Sequence, residues 1–231
     1  MIRITSLNIG YTDELLSADH LVLAAGKVYA LVGRNGIGKS TFIQTISGIQ
    51  KQLAGEIAIM EKSIHGFSPM EIAETIALVD TRFEGVEYLK VKDYLALGRA
   101  PFTDAFGKMN SKDWQIVEEV ASDLGIQHLL EKNTDQISDG ERQLCSVGRA
   151  FVQETPVILL DEPTAFLDYI NRKKLLELLV RLAREKNKCI VLSTHDLDLC
   201  LDQKVPFLLA AHGAICIHDM LTKEAIIEAM S

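Results

Sequence analysis

The run Gly33-Arg34-Asn35-Gly36-Ile37-Gly38-Lys39-Ser40 has the spacing G-x-x-x-x-G-K-S. Each residue type there has a chemical use. Gly33, Gly36 and Gly38 let the backbone curl, so that N–H groups from Arg34 through Gly38 can face phosphate oxygens with no side chain in the way. Lys39 offers a point charge to β- and γ-phosphates, and the Ser40 hydroxyl can ligate Mg²⁺. Thr41 continues the same turn into a helix. The plainer alternative is a glycine-rich turn that only packs a helix on a strand.

A second cluster lies far along the chain. Val157-Ile158-Leu159-Leu160 is apolar and ends in Asp161 and Glu162. A buried strand can deliver such an acid to the carboxyl edge of a sheet, where open α/β folds bind ligands. Asp161 would hold Mg²⁺ there, directly or through water. Glu162, on the opposite side by strand alternation, could orient or deprotonate a water. The plainer alternative is a solvated loop acid. Upstream, Ser138-Asp139-Gly140-Glu141 reads as a capped helix start, which by itself is ordinary structural chemistry.

The elements that must position these groups follow from periodicity. Apolar patterns predict strands at 2–7, 21–23, 28–32, 57–59, 76–79, 157–160, 190–193, 205–210 and 214–218. Helices are predicted over 40–47, from a capping box at Ser68 with Pro69 and Glu71, and over 91–97 and 111–124. Others are predicted from Ser138, over 171–186 and over 222–230. Strand–helix alternation interrupted by a helical stretch predicts an α/β fold carrying a helical insertion.

At 231 residues the chain is one large domain or two small ones. Hydrophobic residues make up 48% and charged residues 24%, which argues against disorder. A net charge of −8 opposes generic binding to nucleic acid or to a membrane surface. Cys145, Cys189, Cys200 and Cys216 form no C-x-x-C pair and lie in apolar stretches, so reduced, buried thiols are expected. The first residues carry no signal-peptide pattern, and no run reaches the roughly 18 apolar residues of a membrane span. The chain is therefore expected not to cross a bilayer by itself.

Taken in order, Gly33–Ser40, Ile137–Gln143, Val157–Glu162, Leu167–Asp168 and His195 resemble the motif set of ATP-binding-cassette (ABC) ATPases. These are the phosphate loop, signature, acidic strand, D-loop and switch histidine, and together they cover essentially the whole chain. The resemblance implies a P-loop NTPase α/β core with a mixed and parallel sheet, N-terminal antiparallel strands and a helical subdomain. The core would span about 1–81 and 146–231, the helical subdomain about 82–145. It also implies ATP and Mg²⁺ as ligands and a head-to-tail dimer with two ATPs at the interface. One chain would supply the phosphate loop and the other Ser138 and Gly140, with Asp168 in the D-loop near the same nucleotide. His195 would contact the γ-phosphate, and Tyr11 matches the aromatic that stacks on adenine; a packed strand-end tyrosine is the plainer reading.

Three stretches, Tyr94–Phe102, Asp161–Asp168 and Ser193–Asp198, resemble the ATPases of iron–siderophore, haem and cobalamin importers. That branch implies two polytopic permease subunits and a substrate-binding protein outside the membrane. It also implies peripheral attachment on the cytoplasmic face and no nucleic-acid partner. Two positions depart from the family. Its Mg²⁺-reaching glutamine, counted back from Val91, falls on Thr81, with Asp80 and Arg82 adjacent. Asp139 stands where the signature usually has glycine. Both departures predict modest ATPase activity in the isolated chain. Two other readings are a soluble ABC ATPase acting in DNA, ribosome or cofactor-assembly processes, and a cassette that binds ATP only as a structural partner.

Overall fold

The computed structural model describes residues 1–80, 85–104 and 107–229. The N-terminal third contributes β1 (Ile2–Gly10), β2 (Glu14–Ala18), β3 (Leu21–Leu23), β4 (Lys27–Gly33), α1 (Lys39–Ile46), β5 (Ala54–Ile59), β6 (Lys62–Ser63), α2 (Pro69–Thr75) and β7 (Ile76–Val79). Helices then dominate: α3 (Val91–Ala96), α4 (Ser111–Asp123) and α5 (Asp139–Val152). Alternation resumes with β8 (Val157–Leu160), α6 (Tyr169–Glu185), β9 (Cys189–Ser193), α7 (Leu197–Asp202), β10 (Phe207–Ala211), β11 (Ala214–His218) and α8 (Lys223–Ala229).

The strands form one mixed sheet in the order β6-β5-β1-β2-β11-β10-β4-β9-β8-β7, with β3 beside β1. Neighbours from β10 through β7 run parallel, and β1 pairs antiparallel with β2, β3 and β5. β8 and β9 are buried throughout, as strands covered by helices on both faces must be. One apolar core packs α5, α6 and α7 on one face of this sheet. A second fills the other face and the antiparallel strands, centred on Phe42 and Ile43 of α1. A third joins α3, α4 and α5 through Val91, Leu95, Val117 and Ala121.

The parallel register matters most for chemistry. Leu31 pairs with Ser193, and Leu160 with Leu192. Gly33, Leu160 and Ser193 therefore end their strands along one edge.

Several expectations change. β2 and α7 had no clear periodicity to announce them. The helix read over 91–97 ends at Ala96 and tightens into a 3₁₀ turn, Leu97–Phe102, where Pro101 has no N–H to continue an α-helix. The strand expected over 205–210 starts at Phe207, because the Val205 N–H closes α7 onto the Cys200 carbonyl. Cys145, Cys189 and Cys200 are buried, but Cys216 is exposed: it alternates outward on β11, whose Ile215 faces the core. Burial pushes the three inner thiols up to about 12, which keeps them protonated and inert.

Candidate nucleotide site

The glycine loop leaves the end of β4 and enters α1. Gly38 caps that helix with φ +115°, a backbone conformation that a side chain would strain. Gly33 is required for space, since a Cβ there would lie 2.6 Å from the Ala210 carbonyl on β10. Lys39 folds back into the loop, donating from Nζ to the Gly33 carbonyl at 2.9 Å and the Arg34 carbonyl at 3.2 Å. Burial pulls its pKa down, opposed by the Glu162 and Asp161 carboxylates. Those two acids favour the charged form of Lys39, and the two loop carbonyls fix its place. Arg34, Asn35, Gly36 and Ser40 are exposed at the loop, Ile37 is half-buried, and Thr41 is buried at the start of α1.

Asp161 and Glu162 follow β8 directly. The Asp161 N–H extends the pairing with β7 by bonding the Val79 carbonyl at 2.9 Å. Asp161 is buried and accepts a 2.5 Å hydrogen bond from the Ser193 hydroxyl. That same hydroxyl oxygen accepts the Glu162 N–H at 2.8 Å. Glu162 needs this support, because its φ of +49° is unfavourable for a residue with a side chain. Its carboxylate Oε1 lies 3.3 Å from His195 Nε2. The adjacent Asp196 accepts from Thr164 Oγ1 at 2.7 Å and from Arg172 Nη1 at 3.0 Å. Arg172 also donates from Nε to the Leu167 carbonyl at 2.7 Å, so the histidine turn is tied to the segment ending at Asp168. Asp168 itself caps α6, accepting from the Asn171 N–H at 2.8 Å.

Lys39, Asp161, Glu162 and His195 thus meet at one sheet edge, within reach of the loop. The donors suit a nucleoside triphosphate with a divalent ion. The glycine loop with its lysine could receive the anion, and the Ser40 hydroxyl and the buried Asp161 carboxylate are oxygen donors of the kind a hard cation prefers. Tyr11 stands 70% exposed in the turn between β1 and β2, available for stacking. Ser138 and Gly140 are tied elsewhere. Ser138 and Glu141 make a reciprocal capping box, with the Ser138 N–H 2.8 Å from Glu141 Oε2. A Cβ on Gly140 would lie 3.0 Å from the Phe166 carbonyl. Asp139 does not cap the helix but pairs with Arg142 at 2.5 Å. Thr81 lies outside the described residues.

Sequence reasoning missed Ser193 as a link between the two acids, and it missed the Asp196–Arg172–Thr164 ties. Ser193 was visible only as a polar residue ending an otherwise apolar strand. Its partners are remote in sequence.

Comparison with known proteins agrees with this geometry. The family pattern described as "ABC transporter" matches residues 16–165. An uncharacterized ABC transporter ATP-binding protein of Methanocaldococcus jannaschii is 38% identical over 202 residues, covering 87% of this chain and 70% of its own. The iron(3+)-hydroxamate import ATP-binding protein FhuC of Bacillus subtilis is 34% identical over 193 residues, 83% of this chain and 72% of its own. Among solved structures, an inward-facing protein described as a metal-chelate type ABC transporter superposes with a TM-score of 0.83 at 27% identity, over 99% of this chain and 88% of that one. A phosphate loop, two strand-end acids and a histidine on one sheet edge, in a chain this similar along its length, identify a member of the ABC transporter family: an ATP-binding subunit that hydrolyses ATP.

Proposed function

We propose that this chain powers the import of an iron chelate of the siderophore type. The observation that carries the reading is the joining of Lys39, Asp161, Glu162 and His195 at one edge, in a chain similar to an iron-hydroxamate import subunit. The loop Gly33–Thr41 binds the phosphates, with Tyr11 stacked on adenine. Ser40 and Asp161 would hold Mg²⁺, which would supply charge neutralisation to the phosphates, and we assign Thr81, the position of the family's glutamine, to the same ion. Glu162 takes the proton of the attacking water, and His195 holds both Glu162 and the γ-phosphate in place.

Half of the site is absent from a single chain. Ser138 and Gly140 sit at a helix N-terminus capped within its own first turn and packed close to the Phe166 carbonyl, so we assign them, with Asp168, to the nucleotide of a second copy. Two chains then close on two ATPs and separate on hydrolysis. The α/β core spans about 1–81 and 146–231. The helical subdomain, about 82–145, meets two polytopic permease subunits at the cytoplasmic face of the membrane. An outer substrate-binding protein delivers the chelate, and nucleic acid is no partner. No helix among the described residues is long and apolar enough to cross a membrane.

The test is co-purification in detergent with a polytopic partner, then reconstitution in vesicles loaded with Mg-ATP. ATP-dependent uptake of a ferric hydroxamate supports the reading. A partner that moves other solutes, or no polytopic partner, overturns the substrate class or the importer role respectively.

A further inference from the structure

The helix α5 opens with two acids in its first turn, Asp139 and Glu141. Acids there stabilise a helix. On the ATP-sandwich reading, which this inference rests on, they also bring negative charge to the place where the partner's γ-phosphate meets Ser138 and Gly140. The structure handles the two acids differently. Glu141 turns onto Ser138, its Oε2 accepting from both the Ser138 N–H and hydroxyl at 2.8 Å. Asp139 pairs with Nη2 of Arg142, the residue three positions on, at 2.5 Å. The other terminal nitrogen of Arg142 donates to the Ile137 carbonyl at 2.6 Å and the Thr134 carbonyl at 3.3 Å.

The asymmetry is informative. Asp139 has a side chain 69% exposed, whereas that of Arg142 is 20% exposed. Two backbone carbonyls fix the guanidinium, and the mobile carboxylate comes to it. A pair this exposed adds little to folding. What it changes is where the Asp139 charge lies when an anion arrives, and a phosphate has a far larger charge to repel.

We propose that Arg142 is a positioning residue for the nucleotide contact made across the dimer. It pairs the Asp139 carboxylate with a guanidinium fixed on the Ile137 and Thr134 carbonyls, so that an acid-bearing helix terminus still receives a phosphate. Arg142 touches no phosphate itself.

A double-mutant cycle tests this in the full chain carrying Glu162→Gln, which keeps ATP unhydrolysed. The readout is the ATP concentration for half-maximal dimer by size-exclusion chromatography. Arg142→Gln raises that concentration about tenfold, because the unmasked carboxylate repels the phosphate. With Asp139→Gly present, Arg142→Gln changes it by less than about threefold, since no charge remains to mask. If Arg142→Gln does not fold, Arg142→Met carries the same comparison in both backgrounds, and Arg142→Lys, which keeps a cation beside Asp139, changes the concentration less than either. Equal losses in the two backgrounds overturn the proposal and leave Arg142 as a tie for the 134–137 backbone. A Glu162→Gln parent that binds ATP yet forms no dimer overturns the sandwich reading and this inference with it.

Discussion

At the sheet edge, Asp161 and Ser193 are buried, and the register of four parallel strands holds them. In the helical stretch, positioning falls to discrete ionic clamps. Arg99 is buried against Asp113 at 2.9 Å, donates to the Val152 carbonyl at 3.0 Å and covers the Phe102 ring at 4.5 Å. Arg142 holds Asp139, Ile137 and Thr134. The first region shares its geometry among many backbone hydrogen bonds, so losing one side chain removes chemistry and spares the scaffold. The second concentrates its geometry in single guanidinium groups, and where both partners are buried, as Arg99 and Asp113 are, losing one removes the scaffold. Substitutions in the two regions should therefore fail in different ways.

The largest effect is expected from Glu162→Gln. Losing the base should slow phosphate release by about 10²–10⁴-fold while ATP still binds. Hydrolysis at the parent rate would place the chemistry elsewhere. Next comes Arg99→Ala, which strands Asp113 and should cost about 3–5 kcal/mol in urea unfolding, with nucleotide affinity kept where the chain stays folded. A loss below 1 kcal/mol would erase the contrast between the regions. This pair also carries an acid dependence. The Asn110 N–H, then Arg99, hold the Asp113 carboxyl below its usual 3.8. A lowered carboxyl stabilises the fold above its unfolded value, and that contribution is lost as pH falls through the lowered one. Unfolding titrations of the parent should steepen below pH 3.8, and those of the Asp113→Ala variant should steepen less, the remaining slope coming from the other lowered carboxyls, Glu71 and Glu131 among them.

Ser193→Ala should act at the sheet edge without unfolding it. Loss of the bonds to Asp161 and Glu162 should lower kcat about tenfold, with KM unchanged and a greater Mg²⁺ requirement. A matching fall in thermal stability with no change in Mg²⁺ dependence would make Ser193 purely structural. The smallest effect is expected from Ser138→Ala: about 1 kcal/mol of stability from the lost cap, read by thermal unfolding. On the sandwich reading it should also weaken the ATP-dependent dimer.

How much of this was legible follows from locality. The phosphate loop is contiguous, so Gly33 through Ser40 could be read directly. Capping boxes at Ser68 and Ser138 were legible for the same reason, since each closes within one turn. The capping box at Asn110 is equally local but escaped notice, because Asn110 and Asp113 lie in a polar stretch without contrast. Ser193 with Asp161, Arg172 with Asp196, and Arg99 with Asp113 join residues far apart, and no period announces such pairs. Asp139 was legible as an oddity, but its partner was not, because a helix start offers its acid both a cap and a neighbour one turn on. β2 and α7 are short and take their stability from neighbours, so intrinsic pattern said little about them.

Thr134 carries a consequence of a mechanical kind. Its hydroxyl both accepts the Val86 N–H and donates to the Val86 carbonyl at 2.9 Å, its own N–H bonds Leu89, and Val91 and Lys92 bond back to Lys132 and Leu130. The chain that leaves the sheet after β7 is thus stapled to the chain returning toward α5. The staple forms a narrow neck, closed by backbone bonds and a single buried hydroxyl. From the neck the Thr134 carbonyl accepts from Arg142, so the bonded path reaches the first turn of α5 without crossing the sheet. Residues 86–92 and the helix end that bears Ser138 are thus joined by an unbroken series of hydrogen bonds.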